Sequence, residues 1–407
     1  MIQDASLFRN WIDEQYKKHP LVFPTGMHQG YHLHDKLSSI KQADIIRRRI
    51  KLKRTKECYT ICPSFLMPYM IGKTEEVEKA LYLRKFGVPY HALTYVFGEN
   101  DMYWYRSELG LGRFNIVGTT IQEASKLPEH IASDEKHTEQ LGQRVYGCLT
   151  TNSDCVLGVS VSHKANANQL IEAYGEFQKE CEAVKKDYQP VTNNRDGWEA
   201  GVIAFQALFP TMQVIFCFLH EWLKTKTRCR SLKKQYQDGI SVLSIVGNKI
   251  WEIYHAATKE VFEERVQEFR AWINTNIDEY SQSYIKEQLV RFCDKTCELA
   301  KAYDFNACLR TSNAVDRPMK RLDKVLFNIQ YFHGHLYQAN QFLRAWALIY
   351  NVAPYNPKTR KKSEYMSPTH KVNGFVYHQN WLQNLLICGS LNGGNGRLRA
   401  LPQNMVE

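Results

Sequence analysis

The spacing of apolar residues between positions 188 and 223 predicts a β-α-β unit. A short β-prone run at 191–194 precedes a helical pattern at 199–209, which Pro210 ends, and a second apolar strand is predicted at 213–218. Asp196 lies at the C-terminal tip of the first strand, where open α/β sheets usually bind ligands and metals. On this stretch alone, Asp196 is equally well explained as a cap of the following helix.

Upstream of this unit, short β-prone runs predict a three-stranded meander. Strands are expected at 130–133, 145–151 and 155–161, and a turn signal separates the last two. Asp134 falls near the end of the first strand. A helix predicted at 166–186 connects the meander to the β-α-β unit.

Downstream of position 224 the apolar spacing is almost entirely helical. Helices are predicted at 231–255, 259–275 and 284–303, and only a brief run at 240–246 has strand character. A further helix, with Asn313 as its N-cap, carries Asp316 in its first turn. Another helix is expected at 336–350, before a basic tail whose Gly/Asn-rich end should be mobile.

The N-terminal part of the chain begins with an amphipathic helix predicted at 4–18. Seven of the ten residues at 47–56 are Lys or Arg, and their alternation with Ile50 and Leu52 predicts an exposed strand. Its charges suit either a solvated edge that opposes self-association or contacts with DNA phosphates. The residues assigned to DNA on the second interpretation are Arg47, Arg48, Arg49, Lys51, Lys53 and Arg54.

Three short helices at about 74–110 are compatible with a helix-turn-helix. Thr74 is the expected N-cap of the first helix, Gly87 and Gly98 follow the first and second helices, and Asn100 caps the third. The third helix would be the recognition helix, with Arg106 as a DNA contact. Its aromatic residues Tyr103 and Trp104 fit a core role better than base contacts.

Composition narrows the class of partner. The chain has 407 residues and a formal net charge of +11, which favours a polyanionic partner, nucleic acid before membrane. Two or three domains are expected at this length. The sequence contains no run apolar enough for a transmembrane helix and no secretory signal at its start. Its 11 scattered cysteines form no CxxC pair, which indicates a reducing, cytoplasmic compartment.

Asp134, Asp196 and Asp316 stand out by their positions in this order of elements. Two follow predicted strands, and the third lies on a helix that returns after a long helical stretch. A β-β-β-α-β-α order with carboxylates in these places matches the RNase H-like plan, a mixed sheet flanked by helices. Three converging carboxylates supply the hard oxygen ligands that two-metal phosphodiester chemistry needs.

The motifs around these residues resemble bacterial insertion-sequence transposases of the DDE type, on the Mutator-like side of that superfamily. The matching segments are SDEKHT at 133–138, NRDGW at 194–198, LFP at 208–210, CFLH at 217–220, TSNAVDR at 311–317, PSFLMPYM at 63–70 and RAWALIYN at 344–351. The resemblance therefore covers most of the chain, and the combination is more specific than any single segment. Cys217 and His220 match the CxxH signature that follows the second aspartate in such enzymes.

This resemblance implies an α/β RNase H-like core in two parts, 126–225 and 306–351, interrupted by an all-helical insertion at 226–305. A mostly helical DNA-binding region at 1–125 would precede the core, and a basic, partly flexible tail at 352–407 would follow it. The implied activity is cutting of element ends and their transfer into target DNA, with two Mg²⁺ or Mn²⁺ ions held by Asp134, Asp196 and Asp316. The implied partners are double-stranded DNA, as terminal inverted repeats and target, and a second copy of the chain. The implied location is the bacterial cytoplasm, at the nucleoid, with no membrane partner.

Other residues have two interpretations each. His220 is expected beside the acidic site or at the scissile phosphate, or as a plain structural histidine, since two further zinc ligands for it and Cys217 are not evident. Trp198 is expected to pack under the site. Trp251 would stack on a base near the cleaved end or belong to the helical core. Lys136 would contact phosphate or stay solvated.

Two departures from the family pattern keep alternatives open. The third acidic residue in these families is usually glutamate, and Asp316 is one methylene shorter; Asp323 or Glu298 is the next candidate. Pro318 lies two residues after Asp316 and removes a helix hydrogen bond. The alternative functions are a decayed, transposase-derived DNA-binding protein and an RNase H-like nuclease without strand transfer.

Overall fold

The computed structural model describes residues 2–18, 20, 23–38, 45–68, 70, 72–231, 239–277 and 283–393. The chain divides into two compact units. Unit 1 comprises Met1–Leu127, Glu135–Tyr188 and Arg317–Glu407, and unit 2 comprises Pro128–Asp134 and Gln189–Asp316. Asp134, Asp196 and Asp316 therefore all belong to unit 2.

Unit 1 begins with a helix packed on a small antiparallel sheet. The helix is α1 (Ala5–Lys18), and the sheet has the order β1 (Tyr31–Leu37), β2 (Arg47–Leu52), β3 (Cys58–Ile61). Helix α1 is confirmed, but β1 was not predicted, because its alternation places histidines and charged residues between only two aliphatic positions. Strand β2 is confirmed as a strand, yet the prediction that it is exposed is wrong. Its alternate residues Arg48, Ile50 and Leu52 are buried toward α1.

Three short helices follow, as predicted: α2 (Thr74–Arg84), α3 (Tyr90–Phe97) and α4 (Asp101–Leu111). Gly87 and Gly98 end the first two with φ of 81° and 76°, values that favour glycine. The side chain of Asn100 caps α4 by accepting from the Tyr103 amide. The predicted cap Thr74 is instead the first residue of α2, after the N-cap Lys73. Helix α5 (Ile116–Thr120) completes this region.

A five-stranded mixed sheet flanked by helices forms the centre of the α/β architecture. Its strands are β4 (His130–Gln140), β5 (Gln143–Thr151), β6 (Val156–Ser162), β7 (Thr192–Arg195) and β8 (Gln213–Phe216), in the order β6-β5-β4-β7-β8. Strands β5 and β6 are antiparallel, whereas β4–β7 and β7–β8 are parallel. All five predicted strands of this sheet exist, but the prediction that β4 ends near Asp134 is wrong. Alternate burial continues through polar residues to Gln140, so a strand is maintained without the apolar pattern that would signal it.

Two helices accompany the strand crossovers, α6 (Ala167–Val184) and α7 (Glu199–Leu208). The helical stretch predicted downstream of position 224 is confirmed within the described residues as α8 (Phe218–Ser231), α9 (Gly239–Tyr254), α10 (Lys259–Asn276) and α11 (Ser283–Ala300). The strand-like run at 240–246 lies inside α9. These helices share one apolar core of unit 2, which includes Phe218, Phe262, Phe269 and Phe292.

The chain returns through α12 (Asn313–Asn328) and α13 (Leu336–Val352). Pro318 lies inside α12, and the helix continues past it. Three shorter helices follow: α14 (Pro357–Arg360), α15 (Pro368–Asn373) and α16 (Trp381–Cys388). Every residue of α16 is buried, so this part of the predicted tail belongs to the core of unit 1. The mobility predicted for the Gly/Asn-rich end falls on residues 394–407, outside the described residues.

Candidate metal site

The register of two parallel strands sets the first two aspartates side by side. Ala132 of β4 pairs with Asn194 of β7, and Asp134 and Asp196 each lie two residues further along. Residues two positions beyond a matched pair lie side by side on parallel strands, and their side chains point to the same face. Arg195, the residue before Asp196, is fully buried, and its guanidinium packs against Gly201 of α7. Only glycine fits at position 201, because a Cβ there would lie 1.7 Å from Nη2 of Arg195.

Helix α12 supplies the third aspartate of unit 2. The Cys217 amide donates to the Arg195 carbonyl at 2.9 Å, and the Phe218 amide donates to the Arg310 carbonyl at 3.2 Å. These two bonds hold the start of α8 and the chain entering α12 next to the end of β7. Asp316, in the first turn of α12, is thereby brought to the same place as His220, in the first turn of α8.

Ser312 joins these two helix starts through its hydroxyl. Its Oγ lies 3.0 Å from Asp316 Oδ2, 3.2 Å from His220 Nδ1 and 3.3 Å from Cys217 Sγ. The hydroxyl donates its one hydrogen to Asp316, so His220 Nδ1–H is the donor to Ser312. Nε2 is then the nitrogen left for contact with another group. The carbonyl of Ser312 accepts from the amides of Val315 and Asp316. The N-cap of α12 is therefore Ser312, one position before the predicted cap Asn313.

The charges around His220 favour its protonated form. Its hydrogen bond with Cys217 raises the pKa of His220 to about 9, against the effect of burial, and the charges of Asp134 and Asp316 add to the rise. Burial raises the pKa of the Cys217 thiol, but hydrogen bonds from His220 and Ser312 outweigh it and the pKa is lowered. An imidazolium beside carboxylates therefore partly neutralises this site.

Three half-buried carboxylates of unit 2 are close enough to share cations. Asp134, His220 and Asp316 offer polar atoms within 4.8 Å of one another. Asp134 and Asp196 also offer carboxylate oxygens within 4.8 Å of each other. The three aspartates are hard oxygen donors of the kind that Mg²⁺ and Mn²⁺ prefer, so they fit these ions, whereas a protonated His220 stands beside them as a hydrogen-bond donor. No cysteine belongs to either group among the described residues, which leaves Cys217 as a buried partner of Ser312 rather than a zinc ligand.

The capping prediction for Asp196 is wrong. Trp198 is the N-cap of α7, and no side chain caps this helix. Asp196 Oδ1 instead accepts from the Trp198 amide at 3.1 Å, which makes an Asx turn before the helix. A carboxylate has two oxygens, so one can fix this turn while the other remains available to a cation. Trp198 itself is half-buried.

The fallback residues have other partners. Lys136 Nζ forms an ion pair with Asp323 Oδ1 at 2.7 Å. Lys136, a predicted phosphate contact, and Asp323, an alternative third acid, are therefore paired with each other. Glu135 accepts from the Tyr174 hydroxyl at 2.8 Å. Glu298 is paired with Lys301 on an exposed helix surface. Neither Asp323 nor Glu298 is grouped with Asp134, Asp196 or Asp316 among the described residues.

The cations assigned to DNA divide into engaged and exposed residues. Arg48 is 7% exposed and donates to the carbonyls of Ile2 and Gln3, so its assignment to DNA is wrong. Arg49 is paired with Asp35, and Arg47 points to Cys62 Sγ at 3.9 Å. Lys51 is partly exposed, and Lys53, Arg54 and, on α4, Arg106 are exposed.

Trp251 of α9 is 41% exposed and packs edge-on against Tyr254 at 5.3 Å. It is therefore neither fully buried nor isolated, and both expected roles fit its position.

Sequence reasoning missed Ser312 as a residue of the candidate site. The available signal was its spacing, four residues before Asp316, which places two side chains on one face of a helix.

No helix among the described residues is both long and apolar enough to cross a bilayer. Comparison of the chain with protein-family models gives no match. Comparison with curated proteins gives none either. The likeness to DDE transposases therefore rests on the sequence motifs alone.

Proposed function

We propose that the chain is a metal-dependent DDE-type transposase with an RNase H-like core, which cuts the ends of an insertion sequence and joins them to target DNA. The observation that carries this proposal is the proximity of four side chains that the motifs singled out: Asp134 lies close to Asp196, and it also lies close to Asp316 and His220. A turn at the start of α7 accounts for Asp196 alone. It gives no reason for Asp134 to lie near Asp196, or for Asp316 to lie near Asp134.

Asp134 is the shared member of the two close groups, which supports a site for two cations. In this proposal Asp134 and Asp196 hold one ion, and Asp134 and Asp316 hold the other. When bound, two Mg²⁺ or Mn²⁺ ions supply Lewis-acid stabilisation of the charge that develops on phosphodiester oxygens. The side chain of Asp316 is one methylene shorter than that of glutamate. In this proposal its position in the first turn of α12 offsets the difference, and the hydrogen bond from Ser312 orients its Oδ2.

His220 acts on the phosphate in this proposal. Its Nδ1–H is used by Ser312, and its Nε2–H donates to an oxygen of the scissile phosphate. A donor already oriented by Ser312 costs little reorganisation when negative charge develops in the transition state. Trp198 and Cys217 support the site by fixing Asp196 and Ser312.

The proposed partner is double-stranded DNA, supported by the net charge of +11 and by exposed cations such as Lys53, Arg54 and Arg106. Because transposition requires two element ends to be held together, a homodimer or higher oligomer on DNA is part of the proposal. The proposed location is the bacterial cytoplasm, at the nucleoid. Trp251 is the proposed stacking partner for a base near the cleaved end, supported by its partial exposure.

One experiment separates the proposed function from its alternatives. The full chain and Asp196→Asn are incubated with Mn²⁺, labelled DNA carrying the inverted repeats, and a target plasmid. Cut and joined products from the wild type alone support transposition. Cuts without joined products support a nuclease, and retained binding without cuts supports a decayed DNA-binding protein. Cleavage that is undiminished in Asp196→Asn contradicts the proposed site.

A further inference from the structure

A cavity of about 500 Å³ lies in unit 1, between helices α3 and α4 on one side and the connection from α12 to α13 on the other. Its lining is rich in aromatic side chains: Tyr90, Tyr105, Tyr331, Phe332 and Phe342. The carboxylate of Asp101 also lines it, but no lysine or arginine is among the described residues around it. The whole chain has a net charge of +11, so this wall differs in charge from the rest of the molecule. Cavities of this size hold small organic molecules.

The aromatic rings of the lining stand nearly perpendicular to one another. The ring planes of Tyr90 and Tyr105 are 89° apart, with centroids separated by 5.7 Å, and those of Phe332 and Phe342 are 75° apart at 6.3 Å. Perpendicular rings turn their electron-rich faces in different directions. One of these rings already contacts a cation, since Arg84 Cζ lies 4.2 Å from the centroid of Tyr90. Several aromatic rings around one space are the arrangement that binds ammonium groups.

One buried acceptor of the lining has no partner. The Oε1 atom of Gln338, in the first turn of α13, is buried and has no hydrogen-bond partner among the described residues. Because buried polar atoms are usually hydrogen-bonded in folded proteins, an unpaired acceptor beside a cavity favours a ligand that brings a donor. Asp101 Oδ1 accepts from the Thr94 hydroxyl at 2.6 Å, which leaves Oδ2 of this exposed side chain to attract a cation.

The connection from α12 to α13 is fixed in place, so this wall of the cavity is preformed. The Phe332 amide donates to the Glu139 carbonyl at 3.1 Å, and the Leu141 amide donates to the Phe332 carbonyl at 3.3 Å. Nε2 of Gln140 donates to the Gly334 carbonyl at 3.0 Å. These bonds join the connection to the end of β4 within unit 1. A preformed wall lowers the entropic cost of binding a ligand.

We propose that this cavity binds a small organic ammonium ion that carries N–H donors. The aromatic rings attract the charge through cation–π interactions, Gln338 Oε1 accepts from an N–H group, and the Asp101 carboxylate balances the charge. An anionic ligand is disfavoured, because no cation among the described lining residues would pair with it. The cavity belongs to unit 1 and the candidate metal site to unit 2, so this inference does not depend on the proposed function.

The test compares three probes of nearly equal size and shape on the full chain: tert-butylammonium, tetramethylammonium and tert-butanol. The first has a charge and N–H donors, the second has a charge without N–H donors, and the third is uncharged. Titrations followed by nuclear magnetic resonance at low salt give the dissociation constants. We expect about 1 to 10 mM for tert-butylammonium, because so small a ligand makes few contacts. Tetramethylammonium should bind more weakly, and tert-butanol should bind at least about fivefold more weakly than tert-butylammonium.

Two variants test the assigned contacts. Gln338→Met keeps the length of the side chain and removes the acceptor. It should abolish the preference for tert-butylammonium over tetramethylammonium, while the unfolding midpoint stays equal or rises because an unpaired buried acceptor is lost. Tyr105→Leu should weaken the binding of both cations about two- to fivefold and leave that of tert-butanol nearly unchanged.

Two matched controls lie outside the cavity. Gln341→Met changes a residue of the same helix whose side chain donates to the Tyr337 hydroxyl, and Tyr95→Leu changes a side chain of α3 that is 92% exposed. Both should bind all three probes as the wild type does. The inference is overturned if tert-butylammonium does not bind, if tert-butanol binds as tightly as tert-butylammonium, or if the controls alter binding as much as the cavity variants. DNA cleavage bears on the proposed function and does not enter this test.

Discussion

Ser312 Oγ lies 3.0 Å from Asp316 Oδ2, one turn away along α12. Because the same oxygen lies 3.2 Å from His220 Nδ1, one hydroxyl orients the third acid and the histidine together. Ser312 is fully buried, so water does not compete for these bonds. It touches neither DNA nor cation in the proposed mechanism, and acts by positioning the two side chains that do.

Replacing Ser312 with Ala should weaken cation binding without unfolding the protein. Asp316 and His220 would lose the bond that fixes their orientation, and loss of such a partner typically lowers metal affinity by about ten- to a hundredfold. The measurement is the Mn²⁺ concentration that gives half-maximal DNA cleavage, together with direct Mn²⁺ titration in the absence of DNA. Saturating Mn²⁺ should recover part of the cleavage rate.

Ser160→Ala is the matched control for this substitution. Ser160 is buried, and its hydroxyl donates to the Ala173 carbonyl in unit 1. It should cost similar stability and leave the Mn²⁺ dependence unchanged. If both variants shift that dependence equally, Ser312 has only a structural role.

Asp134 and Asp196 should differ in how many cations they govern. Asp134 is the member common to both close groups, so Asp134→Asn should weaken both cation sites. Asp196→Asn should weaken one and leave the pair Asp134 and Asp316 able to bind. Counting bound Mn²⁺ by electron paramagnetic resonance should give about two ions for the wild type, about one for Asp196→Asn and about none for Asp134→Asn.

Asp323→Asn provides the control for loss of a single nearby charge. Asp323 lies on the same helix as Asp316 but is paired with Lys136. Its replacement should leave the count of Mn²⁺ ions unchanged. Identical counts for Asp134→Asn and Asp196→Asn would contradict the shared role of Asp134.

The sequence predicts the β7 part of the site well and the β4 part less well. Asp196 follows a short strand in a β-α-β pattern that depends on local spacing alone. The sequence predicts a strand end near Asp134, but β4 continues to Gln140 because alternate polar residues are buried there. Asp134 and Asp196 lie side by side because of the register between β4 and β7. Register depends on how two strands pair, so the sequence of either strand alone does not predict it.

Residues whose roles depend on distant contacts were not predictable. Arg48 is adjacent to two other arginines, and only packing against α1 makes it the inward one. Ser312 gains its role from His220, 92 positions away in sequence. Local propensity describes neither contact, since both arise when separate elements pack together.

The buried pair Arg84 and Glu108 should dominate the stability of the three-helix region. Arg84 Nε lies 2.6 Å from Glu108 Oε2, and the two side chains are 0% and 1% exposed. Tyr90 adds a hydroxyl donor to the same carboxylate oxygen at 2.8 Å. Glu108→Gln would leave a buried guanidinium without its counter-charge, at a cost of about 3–5 kcal/mol in the free energy of unfolding. Urea denaturation measures this loss.

Glu298→Gln is the comparison for that variant, because Glu298 is paired with Lys301 on an exposed surface. Its effect should stay within about 0.5 kcal/mol. If Glu108→Gln changes the free energy of unfolding by as little as Glu298→Gln does, the buried network relaxes or admits water. That result would contradict the prediction that this pair dominates the stability of the region.

Lys85 should make the stability of the protein depend on pH above neutrality. Its Nζ donates to the carbonyls of Ala353 at 2.5 Å and Pro354 at 3.1 Å, but burial, with the charge of Arg321, lowers its pKa from 10.5 to about 7. Between these values the unfolded chain binds more protons than the folded one, so the free energy of unfolding rises with pH. The slope from this residue is about 1.4 kcal/mol per pH unit. Below about pH 7 both states are protonated, and the residue contributes no slope.

Comparison of wild type with Lys85→Met isolates this contribution from those of the other titrating groups. The variant cannot titrate at this position, so its stability relative to the wild type should be highest below about pH 7 and should fall by about 3 kcal/mol between about pH 7 and about pH 9. Urea denaturation across this range measures the difference. Lys371→Met, which removes a surface lysine paired with Asp154, should give a nearly constant difference over the same range. A constant difference for Lys85→Met as well would show that the two carbonyls keep the ammonium charged despite its burial.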